Sequence, residues 1–253
     1  MHACKIAFSG ISFLALAGCR GGGGSGIKNS RGSGTAYAFV TPVLNSTRVY
    51  SETIVDNSNN TIDVGLSQTV NAVNADGSAT EMEETTTAMA AVVNGTNYAI
   101  ATESQNFNSE GQETSYINLT DVPSVTCTYD PHGDGPDWPL QVGQTWSIDY
   151  TLTSGTGAPV SYTQSGSVVD IEMVTVPAGN FSAIKLQSTV TWTDSAVTTR
   201  TQTITNWRDV ATSHSVKQVL SIAVSGKLPS TGYAVSRQIL LESTSDGSHR
   251  RPL

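Results

Sequence analysis

From Ala36 onward apolar and polar residues alternate with a period of two, and apolar residues do not recur at helical spacing. Thr145 to Leu152 is the plainest case: Trp146, Ile148, Tyr150 and Leu152 fall on one side, Thr145, Ser147, Asp149 and Thr151 on the other. That is the signature of a strand with one buried face. Ile184, Leu186, Val190 and Trp192 make a second such face, interrupted by Ser188, and Ile62, Val64, Leu66, Val70 and Ala72 a third, interrupted by Gln68. Val216, Leu220, Ile222 and Val224 make a fourth, and Tyr233, Val235, Ile239 and Leu241 a fifth with Arg237 in its middle. Turn residues punctuate these runs at Asp56 to Asn60, Asp76-Gly77, Asn94-Gly95, Ser109 to Gly111, Ser154 to Gly157, Pro177 to Asn180 and Ser225-Gly226. Asn-Gly and Asp-Gly tolerate the positive φ of tight hairpins. The pattern predicts an all-β fold, a large curved antiparallel meander forming a half-barrel or barrel-like sheet with one solvated side.

One stretch breaks the alternation. Asp121 to Pro139 holds Pro123, Pro131, Pro136 and Pro139 with Gly133 and Gly135, and proline cannot donate to a central ladder. It reads as a long connection. The expected plan is therefore a single β domain over 36–245, with an N-terminal half at 36–120, the connection at 121–139, a C-terminal half at 140–245 and a frayed tail at 246–253. Composition refines this. Of the 253 residues 38% are hydrophobic and only 13% charged, while the 33 threonines and 31 serines make up a quarter of the chain. Polarity carried by hydroxyls at alternate strand positions suits the wet face of a sheet, and it excludes a disordered polyelectrolyte or a charged coiled coil. Glu81, Glu83 and Glu84 are expected on that solvated face.

The first nineteen residues carry an address. Lys5 precedes an apolar run from Ile6 to Ala17, at about a dozen residues too short to span a bilayer and of the right length for the core of a secretory signal. It ends in Leu16-Ala17-Gly18-Cys19, which resembles the lipobox of bacterial lipoproteins. That resemblance implies cleavage after residue 18, a diacylglycerol thioether on Cys19 and acylation, palmitate included, of the new amine. Residues 1–18 are then the signal peptide, and 19–35, with Gly21 to Gly24 and a Ser/Gly stretch, a lipidated flexible tether. Arg20 stands where an Asp would resemble an inner-membrane retention signal. The expectation is an outer-membrane anchor in the bacterial envelope, with the folded part facing the periplasm or the cell surface. On this reading Cys127 is the last thiol of the mature chain and no intramolecular disulfide forms.

Chemistry is harder to find. No nucleophile elbow, phosphate loop or zinc pair of histidines stands in the sequence, and no cofactor is expected. Asp130, His132 and Asp134 have the spacing of the first ligands of a calcium loop, followed by Gly135, but Gln141 occupies the place of the bidentate glutamate. A solvated loop is the plainer reading, so no metal is assigned. With 13 basic against 21 acidic residues and no basic cluster, nucleic acid is not expected as a partner.

A second resemblance lies in the C-terminal half. Pro139-Leu140-Gln141-Val142-Gly143-Gln144-Thr145-Trp146, then Val174 to Lys185 with its V-x-V-P-A-G-x-F-x-A-x-K pattern, then a Trp-led strand at Trp207 to Lys217, are similar to the TapB-like or LolA-like group of uncharacterised Gram-negative envelope proteins. Arg208 to His214 departs from that pattern, which has a Tyr and a glycine-bearing turn there. The resemblance implies an all-β sheet, an exported location and no established activity. Trp146, Trp192 and Trp207 are candidates to line an apolar ligand pocket. The resulting expectation is a lipid-anchored, non-enzymatic envelope protein that binds a partner protein or a hydrophobic ligand through its sheet. A periplasmic hydrolase and a surface adhesion or structural protein are the alternatives.

Overall fold

A computed structural model describes residues 32, 34–85, 92–93, 96–97, 102–119, 123–133, 135–194, 198–226 and 234–245. The alternating segments become β1 (Thr47–Asp56), β2 (Thr61–Val73), β3 (Ala79–Thr85), β6 (Glu103–Phe107), β7 (Glu113–Asn118), β8 (Val125–Asp130), β9 (Thr145–Ser154), β10 (Val160–Val176), β11 (Gly179–Asp194), β12 (Thr198–Asp209), β13 (Ser215–Gly226) and β14 (Ala234–Thr244). Two further pairs of residues, β4 (Val92–Val93) and β5 (Thr96–Asn97), form a separate small hairpin. Each of the twelve strands pairs antiparallel with its sequence neighbours, and β14 returns to pair with β1, so the meander closes into a twelve-stranded barrel. Closure removes the exposed edges that an open sheet would present.

The region read as a connection holds β8. Pro123 and Pro131 flank it, and its own six residues contain no proline, so they can join the ladders to β7 and β9. Prolines at strand ends are compatible with a sheet; only 131–144 remains as a connection. The longest strands, β10 and β11, reach 17 and 16 residues.

One end of the barrel is covered. Opposite β11, β10 carries a bulge between Val168 and Asp170, which leaves Val169 out of register. A bulge bends a strand, and beyond this one the hairpin folds across the end until the Ala178 N–H donates to the Leu241 carbonyl on β14, at 3.1 Å. Val174, Val176 and Phe181 join the main core there. The chain before β1 and the 131–144 connection cover the rest of that end: Tyr37 bridges to Leu140, and the Phe39 and Trp138 rings lie 5.7 Å apart in a second cluster with Trp146, Val168, Ile184 and Leu186.

The outer wall matches the hydroxyl-rich composition. Thr47 with Thr69, Thr193 with Thr199, and Thr53 with Asp63 make cross-strand side-chain hydrogen bonds on outward positions.

Candidate functional site in the barrel interior

Inward positions are not uniformly apolar. Arg48, Glu52, Gln68, Glu81, Glu83, Glu103, Gln105, Gln164, Arg208 and Arg237 are all at most 3% exposed. The alternation places them there: several share strand faces with Tyr50, Leu66, Phe107 and Ile239. The interruptions of the apolar faces, Gln68, Ser188 and Arg237, are therefore inner-wall residues, and the structure gathers them into a polar belt. Glu81 and Glu83 belong to it as well. Their expected place on the solvated face is corrected: of the three glutamates of β3 only Glu84 points outward and is exposed. Charged residues are a poor guide to the wet side when the interior itself is polar.

The belt is tied together by specific bonds. Arg237 Nε donates to Glu52 and its Nη2 forms an ion pair with the same carboxylate. Arg48 Nη2 lies 2.7 Å from Glu81 Oε2, and its Nη1 contacts His214 Nδ1. Since a guanidinium only donates, Nδ1 accepts and the ring proton of His214 sits on Nε2. Gln68 donates to Glu83 Oε2 at 2.8 Å, and Gln164 to Ser188 Oγ at 3.1 Å. Burial drives the titrations apart. It pushes the Glu52 carboxyl up, with Arg237 pulling the other way. It holds His214 well below its usual value, helped by the charges of Arg48 and Arg208.

Facing this belt is an arc of five rings on successive strands. Tyr116, Tyr129, Tyr150, Tyr162 and Trp192 follow one another around β7 to β11, with centroids 6.2, 5.9, 5.0 and 5.5 Å apart. Tyr150 and Tyr162 are almost parallel, 4° between planes. Burial raises the Tyr116 hydroxyl above the usual tyrosine range, and the negative charges of Glu103 and Glu113 add to this. The acidic side of the belt and the arc thus meet at Tyr116.

Of the three tryptophans singled out in the sequence, Trp192 and Trp207 belong to the main core cluster and Trp146 to the second one. Trp192 ends the arc. Trp146 faces inward nearer the covered end, opposite Gly166, four residues along β10 from Tyr162, which pairs with Trp192; at about 3.3 Å per residue that is roughly 13 Å. Trp207 is buried, with the strand parity opposite to Asn206 and Arg208, and its indole N–H donates to Glu172 while Lys185 and Lys217 lie 5.3 and 4.8 Å from its ring centre. The indole hydrogen bond holds the Glu172 carboxyl below its usual range, with the lysines contributing less.

Of the weak calcium set, Asp130 ends β8 and is exposed, and His132 is buried with Nδ1 2.6 Å from the Gly133 carbonyl oxygen; Asp134 lies outside the described residues. Among the described residues no group of three or more His, Cys, Asp or Glu could hold a metal ion. Cys19 and nearly all of the tether also lie outside them. Cys127, inward on β8 and fully buried, is disulfide-bonded, so the expectation that it remains a thiol is corrected.

No protein-family model matches the chain. No curated protein matches it either. Among solved structures it is similar to an exported protein with a YmcC-like fold from Bacteroides fragilis, at 13% identity and a TM-score of 0.45 over 83% of this chain and 100% of that one. It is similar also to a lipoprotein from Parabacteroides distasonis, at 11% identity, TM-score 0.43, over 84% of this chain and 100% of that one. A third likeness is to the hypothetical lipoprotein YmcC from Escherichia coli, at 12% identity, TM-score 0.40, over 79% and 89% of the two chains. At these values the likenesses identify neither a family nor an activity, and the TapB-like or LolA-like naming finds no match.

At the covered end a small pocket, partly open to solvent, lies among the turns between β2 and β3, β6 and β7, and β12 and β13. Phe39, Pro42, Phe107, Arg208 and His214 line it. Glu81, Arg208 and His214 of the polar interior are among its lining residues. An interior with charged and amide groups on one wall and aromatic edges on the other can hold a ligand that is itself polar on one side and apolar on the other.

Proposed function

We propose that this protein is a lipid-anchored, non-enzymatic component of the bacterial envelope that binds a ligand inside its barrel. The observation that carries the reading is the composition of the inner wall. Buried charges and amides are costly, and apolar residues of similar volume would serve a purely structural core as well or better. Gln164 Oε1 and Glu52 Oε2 are buried without a hydrogen-bond partner, and buried polar atoms of that kind are normally satisfied by water or a bound molecule. Width supports the same view: barrel diameter grows with strand number, and about eight strands already enclose a space that side chains can fill. Twelve strands enclose more.

The lipobox-like Leu16 to Cys19 and the Gly/Ser tether support the anchor, which would hold the covered end of the barrel toward the membrane, since Gly34 lies within 3.4 Å of the Gln141 side chain at that end. Two measurements test the reading. Cells given radiolabelled palmitate are expected to label the wild type and not Cys19→Ala; equal labelling removes the anchor. Native mass spectrometry of the purified processed protein is expected to show a retained small-molecule adduct; a bare mass, together with no binding of any probe of the interior, removes the ligand.

A further inference from the structure

We infer that the covered end of the barrel is a membrane-contact face, whose exposed apolar side chains enter the headgroup layer of a zwitterionic bilayer. The inference rests on the anchor reading and goes beyond it. An anchor keeps the chain near a membrane, whereas a contact face fixes which end of the barrel meets it.

The distribution of exposed apolar side chains carries the inference. Val40, Val43, Leu44, Leu119, Val169 and Met173 are the large hydrophobic residues exposed among the described residues. Scattered singly over the surface, such residues need no explanation. Five of the six lie at the covered end, and only Leu119, which follows β7, is at the other. Alternation turns them outward. Val174 and Val176 fill the main core, so Met173, of opposite parity and 69% exposed, is on the far side of its hairpin. Tyr37 and Phe39 pack on the second cluster, while Ala36, Ala38 and Val40 are exposed.

Hydrogen bonds bring these two segments to one turn. The Val210 N–H donates to the carbonyl of Ser182, the partner of Met173 in the ladder, at 2.9 Å. The Val40 N–H donates to Ser213 Oγ at 3.0 Å. Ala211, exposed, lies on the turn between these contacts.

The chain leading to β1 says what covers this face. Residues 32–47 contain no charged side chain and run from the tether directly to β1. Gly34 sits beside Gln141 at the covered end. Cys19 precedes Gly34 by fifteen residues, a reach of at most about 50 Å. A linkage that short raises the effective concentration of the face at the surface, so a contact too weak to bind a free protein suffices. A stable protein interface takes about 20–30 residues a side, far more than this patch offers, whereas a bilayer demands no matching shape. Charges of both signs accompany the patch: Arg20, Lys28 and Arg31 in the tether sequence, and exposed Asp76, Asp130 and Asp170 at the same end of the domain. That balance favours zwitterionic lipid and a contact that salt does not weaken.

Tryptophan reporters test the inference, because the four native indoles are all buried. The processed, acylated protein carrying Leu44→Trp, Met173→Trp or Leu119→Trp is reconstituted on phosphatidylcholine vesicles, and its emission is compared with that of the wild type. All three sites are exposed, and Leu44 and Met173 lie on separate segments, so a poorly folded variant leaves the other to decide. Phosphatidylcholine with brominated acyl chains is expected to remove most of the added emission at positions 44 and 173. At position 119 it should remove almost none, and acrylamide in the water should quench instead; raising the salt should change neither. Equal quenching at the three positions, or acrylamide access at 44 and 173, overturns the contact face and leaves the anchor standing. Shielding of 44 and 173 from both quenchers means that protein, such as a second copy, covers the face, which also overturns it. Protein that does not float with the vesicles overturns the anchor and the face together.

Discussion

Gly166 sits where β10 passes Trp146, and replacing it with alanine should cost more than an ordinary buried methyl. A Cβ at 166 would lie 2.5 Å from the Gln187 carbonyl oxygen on β11 and 2.7 Å from Trp146 Cη2, and closer still to Cζ2. Neither neighbour can easily retreat. The carbonyl belongs to the backbone of a paired strand, and the indole, 2% exposed, is packed among Trp138, Leu140, Val168, Ile184 and Leu186. Overpacking by a methylene typically costs 1–3 kcal/mol, and with two fixed obstacles the upper end, about 3 kcal/mol, applies. For a domain of this size each kcal/mol moves the melting temperature by roughly 2–4 °C, so Gly166→Ala should melt about 6–12 °C below the wild type. Thermal unfolding followed by near-ultraviolet circular dichroism measures it. Trp146→Leu removes one obstacle, so the double variant should lose less than the two single losses combined. A Gly166→Ala protein melting within about 2 °C of the wild type, or strictly additive losses, would show that the glycine is not there to seat the indole.

Glu52→Gln strands the buried Arg237 guanidinium and is expected to destabilise the barrel by about 3–5 kcal/mol in urea unfolding, whereas a Glu52→Met, Arg237→Met double variant should recover most of that. Because His214 is held well below its ordinary value of 6.5 in the folded state, the unfolded chain takes up its proton first as pH falls. Stability should therefore drop below pH 6.5, by up to about 1.4 kcal/mol per pH unit until the depressed folded value is reached. His214→Gln should flatten that part of the urea-midpoint profile, and an unchanged slope refutes the assignment. Trp207→Phe keeps a ring beneath Lys185 and Lys217 but loses the indole donor, so the Glu172 carboxyl should titrate closer to 4.5 by NMR; an unmoved titration means that the lysines alone hold it down.

Strand identity was legible because it depends on local alternation. Thr145 to Leu152 and Ile62 to Ala72 lie within β9 and β2, and the turns at Asp56 to Asn60, Asp76-Gly77 and Ser154 to Gly157 fall between strands. Alternation says which residues share a face. It does not say what that face meets. Gln68, Ser188 and Arg237 therefore looked like flaws in apolar faces, and Glu81 and Glu83 like part of a wet one, although all five line the interior. A usable signal was present: Gln68 and Arg237 each keep the parity of their apolar neighbours, as Glu83 keeps that of Ala79 and Glu81. β8 was missed for the opposite reason, its flanking prolines outweighing six short residues of weak pattern.

By itself the sequence determines an all-β chain, its strand spacing, a hydroxyl-rich outer wall and a lipobox-like start, because each of these follows from neighbours in the chain. Tertiary structure decided closure, and with it the site. Arg48 meets His214 and Glu52 meets Arg237 across 166 and 185 residues, and no local pattern encodes such distances. Only when β14 hydrogen-bonds to β1 does the second face of the sheet become an interior, where low dielectric turns a scattering of Glu, Gln and Arg into strongly coupled groups.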